Sequence, residues 1–194
     1  VTKGEDTRAT VLAAALDMAS QDGLAGVTIG RLAERVQMSK SGLFAHFASK
    51  ENLEVAILQE AMDRFIAQVV SPALRERRGE PRVVALFRRW LAWADRPPGG
   101  CIFRVFITEL DDKTGPARDL LVSSQRDWLD TITTAIRIAV DEGHFRPDLD
   151  PRQLAFEFYA LGCGYHQLSR LFRDGEATAR VHAAFERLLQ NARP

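Results

Sequence analysis

The chain is poor in cysteine. Cys101 and Cys163 are the only two in 194 residues, and they lie 62 positions apart without a histidine or further cysteine at metal-ligand spacing. Both read as reduced, buried core residues, with a disulfide or redox switch as the alternative. No metal or other cofactor is expected. Net charge is also missing: 26 Lys and Arg balance 26 Asp and Glu, so no whole-molecule field draws the protein to nucleic acid or membrane, and any such function must be local. No apolar run approaches the roughly 18 to 20 residues a membrane-spanning helix needs. The N-terminus, VTKGEDTRAT, lacks the charged-then-apolar order of a signal peptide. The expectation is a soluble, cytoplasmic protein without a membrane partner. Catalytic constellations are absent as well. The one adjacent acidic pair, Asp111-Asp112, sits in a loop without a His or Lys geometry beside it, so an enzyme is not expected.

Sustained alternation of apolar and polar residues is nowhere found, which argues against strands and for an all-α fold. With 46% hydrophobic residues, the chain can bury a real core. A first helix is predicted from an N-cap at Thr7 to about Gln21, with Leu12, Leu16 and Ala19 as its stripe, widened by Val11, Ala15 and Met18, and with Gly23 ending it. Thr28 then caps a helix in which Ile29, Leu32, Ala33 and Val36 share one face. Val27 and Leu32 are spaced for a hydrophobic staple. The same grammar recurs at Ser39 (Met38 with Leu43) and at Ser49 (Ala48 with Leu53). Further helices are expected over 82–95, 101–111, 117–142, 152–173 and 176–192, separated by proline and glycine breaks, with Asp150-Pro151 as a cap and first turn.

The helix between Lys40 and Phe47 is short, about two turns, and would not persist alone in water. Leu43 and Phe47 can anchor one face of it; Lys40, Ser41, Gly42, Ala45 and His46 are left for another body. A tight turn at Gln37-Met38-Ser39 makes it the second member of a helix-turn-helix, whose protruding helix fits the roughly 12 Å wide major groove of DNA. Its free N-terminal amides favour phosphate. Residues 1–50 carry six Lys/Arg against five Asp/Glu, so placement rather than the sum must do the work. Arg31, Lys40 and Lys50 cluster around the expected groove-facing surface.

The segment from Thr28 to Leu53, TIGRLAERVQMSKSGLFAHFASKENL, resembles the DNA-binding signature of TetR-family transcriptional regulators, T-x-x-x-I/L-A-x-x-x-G/A-V-S-x-x-x-L/F-Y-x-H/Y-F-x-x-K-x-x-L. The later GHFRPDLDP is similar to the family's entry into a late helix. The resemblance implies a helix-turn-helix DNA-binding domain over 1–50 and an effector-binding and dimerisation domain over 51–194. It places Ser39, Lys40, Ser41 and Gly42 at base edges or phosphates, His46 at the backbone or groove, and Thr28, Lys50 and Arg31 at phosphates. Phe44 stands where the family has tyrosine and lacks the phosphate-bonding hydroxyl; Met38 stands where valine is usual.

The aromatics concentrate in the larger part, with nine of eleven Phe, all three Trp and both Tyr beyond residue 64. By resemblance, Trp90, Trp93, Phe103, Phe106, Trp128, Phe158, Tyr165 and His166 would surround a cavity for a small apolar or amphipathic effector, with Cys101, Arg104, Thr108 or Gln125 as further polar groups. His144 and His182 have no partner at metal spacing. The helix from Arg152 is apolar around most of its circumference, and the last helix carries a matching stripe. The resemblance implies a homodimer through Tyr159, Gly162 and His166 of the first and Val181, Phe185 and Leu188 of the second. The whole implies a ligand-responsive repressor that binds a palindromic operator in double-stranded DNA; an architectural DNA-binding protein without effector is the alternative.

Overall fold

The computed structural model describes residues 3–95 and 100–194, and among these there is no strand. The elements are α1 (Lys3–Gly26), α2 (Ile29–Arg35), α3 (Lys40–Phe47), α4 (Lys50–Phe65), a π-helical stretch (Ile66–Val70), α5 (Ser71–Leu74), α6 (Glu80–Ala94), α7 (Ile102–Leu110), α8 (Pro116–Asp141), α9 (Pro151–Arg170) and α10 (Ala177–Ala192). The all-α expectation holds. The chain forms two compact units, one within Val1–Arg64 and Arg96–Ser124, the other within Phe65–Asp95 and Gln125–Pro194.

In the first unit, Val11, Leu12, Ala15, Leu16, Met18 and Ala19 of α1 are all buried, as are Leu32, Leu43, Phe47 and Leu53. These are the anchoring faces that the helical spacing indicated. The start of α1 differs from expectation, because the helix is already formed at Lys3 and Thr7 lies inside it. Its end is set by Gly23, whose φ of 77° breaks the helical path. The residue after it is held from afar: the Leu24 amide donates to Glu109 Oε2 at 2.7 Å. A charged acceptor makes this one of the stronger hydrogen bonds available to a backbone N–H. It fastens the end of α1 to α7.

The local caps form as their sequences suggest. Thr28 Oγ1 accepts from Arg31 N at 3.3 Å, Ser39 Oγ from Gly42 N at 3.1 Å and Ser49 Oγ from Asn52 N at 3.0 Å. Asp150 Oδ1 accepts from Arg152 N, with Pro151 in the first turn. The turn between α2 and α3 carries a cost. Gln37 adopts φ 54° at the position where the resemblance pattern has Gly or Ala, and an L-residue in the left-handed region is disfavoured by roughly 1–2 kcal/mol. Gln37→Gly is therefore expected to raise stability by about 1 kcal/mol in denaturant titration. An unchanged or lower midpoint would show that the side chain compensates its backbone.

In the second unit the core is aromatic. Phe87 stacks on Phe185 with centroids 3.8 Å apart, and Phe158 meets Phe87 edge-on at 5.0 Å. Gly162 of α9 lies so close to Trp90 that a Cβ there would overlap the indole ring. The helix-weakening glycine is thereby explained as a packing requirement within the chain. The N-terminus of α6 has no side-chain cap of its own; Gly79 turns the chain at φ 91°, and His144 Nδ1 accepts the Glu80 amide at 3.0 Å. Arg193, beyond α10, pairs with Glu80 and with Glu186, tying the end of the chain to α6. The π-helical stretch and α5 were not foreseen. Pro72 does not break the chain there: it falls at the start of α5, which follows directly on the π-helical stretch.

Candidate functional site

Helix α3 is eight residues long and stands on two side chains, Leu43 and Phe47, at 0% and 4% exposure. Arg8 of α1 places its guanidinium carbon 5.2 Å from the Phe47 ring centroid, a cation–π contact that adds to the hold on the same anchor. At 100° per residue, the direction opposite these anchors is occupied by Ala45, with Ser41 and Phe44 to one side and Gly42 to the other. Lys40, Ser41, Phe44 and Ala45 are exposed accordingly. Ser39 closes the N-terminus, and its hydroxyl also lies 3.2 Å from that of Ser41. The result is a solvent-facing surface of one cation, two hydroxyls, small residues and one phenyl ring at the positive end of a helix dipole.

The neighbouring positions divide. Thr28 is exposed at the start of α2, with its hydroxyl serving as cap. Lys50 is exposed at the start of α4 and reaches Glu54 at 3.6 Å, an exposed pair of the kind that contributes little and exchanges readily. His46 is half-buried and tilted against Phe47 at 6.3 Å. Arg31 is turned away from the role expected of it: its guanidinium bonds Asp22 Oδ2 at 2.5 Å and the Gly26 carbonyl at 2.8 Å. It ties the start of α2 to the end of α1 rather than reaching outward.

Several of the aromatics proposed for a sensor belong to the second unit. Phe65, Trp90, Trp93, Trp128 and Phe158 do come together. Phe65 meets Trp93 and Trp128 edge-on at 5.5 and 5.0 Å, and Trp90 meets Trp128 at 5.6 Å and stacks on Phe158 at 5.9 Å. Tyr159 stacks on Trp90 at 5.4 Å and donates its hydroxyl to Gln125 Oε1 at 3.2 Å. The Trp128 indole N–H is buried within this cluster and has no hydrogen-bond partner among the described residues. Phe103 and Phe106 are buried on α7 in the first unit. Tyr165 belongs elsewhere, donating to Asp95 Oδ2 at 2.5 Å beside Thr178 and lining a groove of about 850 Å³ with α6 and α10 residues. Burial, and then the Asp95 carboxylate, push its phenol above the usual range. His166 is half-buried on α9, its carbonyl accepting from the Ser169 hydroxyl.

Comparison with known proteins decides what kind of molecule carries this arrangement. The family model "Bacterial regulatory proteins, tetR family" matches residues 11–57, and "Tetracyclin repressor-like, C-terminal domain" matches residues 79–185. The chain belongs to the tetR family. It is a transcriptional regulator with a helix-turn-helix DNA-binding domain. The HTH-type transcriptional regulator RutR of Escherichia coli is 29% identical over 184 residues, covering 93% of this chain and 84% of RutR. A TetR transcriptional regulator from Chloroflexus aurantiacus superposes with a TM-score of 0.85 at 27% identity, over 97% of this chain and 94% of its own. AibR, in complex with isovaleryl coenzyme A and operator DNA, superposes at 0.74 with 24% identity, over 97% and 99%.

Within this TetR-family chain, the α9–α10 pair has an inward and an outward face. Val181 and Phe185 are 6% and 5% exposed, Gly162 faces Trp90, and Tyr159 bonds Gln125, so these residues are engaged within the chain. The free surface is another stripe, Phe156, Ala160, Gly164 and Leu168 at four-residue spacing on α9, with Ala184, Arg187 and Leu188 on α10. Phe156 is 67% exposed. The spacing on α9 does not single out this stripe, because the helix is apolar around most of its circumference, and the close approach of Gly162 to Trp90 marks the inward side. Glu109 was also missed, since its partner Leu24 lies 85 positions away and no local pattern announces it. Among the described residues no three His, Cys, Asp or Glu are grouped to hold a metal ion, and no helix is long and apolar enough to cross a membrane.

Proposed function

We propose that the chain is a ligand-responsive repressor that binds a palindromic operator as a homodimer and is released by a small apolar or amphipathic effector. The observation that carries this reading is α3. A two-turn helix with its only apolar anchors buried, its N-terminus capped and a cation with small polar groups facing solvent suits major-groove entry better than any packing role inside the chain. Ser39, Lys40, Ser41, Gly42 and Phe44 would meet the duplex, flanked by Thr28, His46 and Lys50. Arg31 would first have to leave Asp22.

The exposed Phe156–Leu168 stripe with Leu188 supplies the surface a second copy would cover. A two-fold pairing of this kind matches a palindrome. The effector reading rests on the ring cluster around Trp128, whose buried N–H, without a partner among the described residues, is costly to leave unmet. Phe65, a member of that cluster, is also the last residue of α4, and α4 begins at Lys50 beside the DNA-facing surface. The π-helical stretch that follows it is the sort of irregularity found at functional hinges. An effector must bind the two positions of α4 unequally, or nothing moves. AibR, with its bound coenzyme A derivative and operator DNA, supports the general scheme without naming this chain's ligand.

Selection of duplexes from a random DNA pool tests the reading. A recovered palindrome, lost when Lys40→Ala is used, is the expected result; salt-sensitive binding to every sequence would favour an architectural protein instead.

A further inference from the structure

We infer that Phe44 reads the 5-methyl group of a thymine in each half-site; the inference rests on the DNA-binding reading above and adds a specificity determinant to it. Phe44 is 52% exposed on a helix whose remaining outward residues are Lys40, Ser41, Gly42, Ala45 and His46, and it stacks on no ring among the described residues. The exposed half of a phenyl ring gains nothing from facing water. Lacking a hydroxyl, it has no donor for a phosphate. On entering the major groove it would cover base edges, and covering the hydrogen-bonding edges of G, C or A strands donors and acceptors. The one apolar group the groove presents is the thymine methyl. Ser41, one turn before Phe44 on the same side, and Ala45 beside it are small, so the ring can approach the groove floor unobstructed.

The test uses the full chain and a duplex recovered by selection. Each thymine is replaced in turn by deoxyuridine, which removes the methyl and leaves pairing and groove hydrogen bonds intact. At one position per half-site the replacement is expected to weaken wild-type binding roughly fourfold, the effect of exposing one buried methyl group, and roughly fifteenfold when both half-sites are changed. The loss at that position should vanish in Phe44→Ala, which removes a half-exposed side chain and should shift the folding equilibrium by no more than about fivefold, or about 1 kcal/mol. Discrimination that persists in Phe44→Ala, or none at any thymine, overturns the inference while leaving sequence-specific binding in place. Failure to recover any sequence overturns both.

Discussion

Phe158→Ala is expected to cost about 3–5 kcal/mol, measured by urea unfolding, which is at the upper end for a single side chain. Phe158 is wholly buried and touches four other rings. It lies edge-on to Phe87 (80°) and Phe185 (88°), stacked on Trp90 (6°) and edge-on to Trp128 (69°). Rings that interlock from four directions cannot close over a phenyl-sized hole without each abandoning another contact, so the cavity term adds to the transfer term. Phe156→Ala, two positions away on the same helix, removes a ring of identical chemistry that is 67% exposed. It should change subunit stability by no more than about 0.5 kcal/mol, while weakening self-association seen by sedimentation. Equal losses from the two substitutions would show that the inward and outward faces of α9 are misassigned.

Leu43→Ala is expected to cost about 2–5 kcal/mol and to abolish operator binding, with far-ultraviolet helix content nearly unchanged. The reason is the length of α3. Eight residues cannot stay helical by propensity, Leu43 is fully buried, and after its loss only Phe47 with its Arg8 contact remains to hold the helix. The rest of the first unit keeps Leu12, Leu16, Leu32 and Ile57 in place, so the defect should be local. Hydrogen exchange at the amides of 43–47 should accelerate ahead of those in α1. Retained sequence-specific binding would mean that the recognition surface lies somewhere other than α3.

The parts legible in the sequence were those whose causes are local. Thr28, Ser39, Ser49 and Asp150 each cap an amide two or three residues away, and a sequence pattern can state such a relation completely. The buried face of α1 is likewise a matter of spacing. What escaped depends on distance or on choice among equals. The α6 amide capped by His144 lies 64 positions away, and the Glu109 bond to Leu24 spans 85; neither leaves a local trace. Helix α9 is apolar around most of its circumference, and the close approach of Gly162 to Trp90 marks its inward side. Arg31 lay at a plausible phosphate-facing position, yet Asp22 is within its reach, and the charge-assisted bond between them gives the guanidinium a partner in the absence of DNA.

Whether α3 meets the duplex with its N-terminal turn is decided by the salt dependence of binding to the selected duplex for wild type and Lys40→Ala. If Lys40 neutralises one phosphate in each of two half-sites, the log–log slope should become shallower by about 1.8, from about 0.9 per phosphate, with weaker binding at every salt concentration. Unchanged affinity and slope in Lys40→Ala would contradict the account.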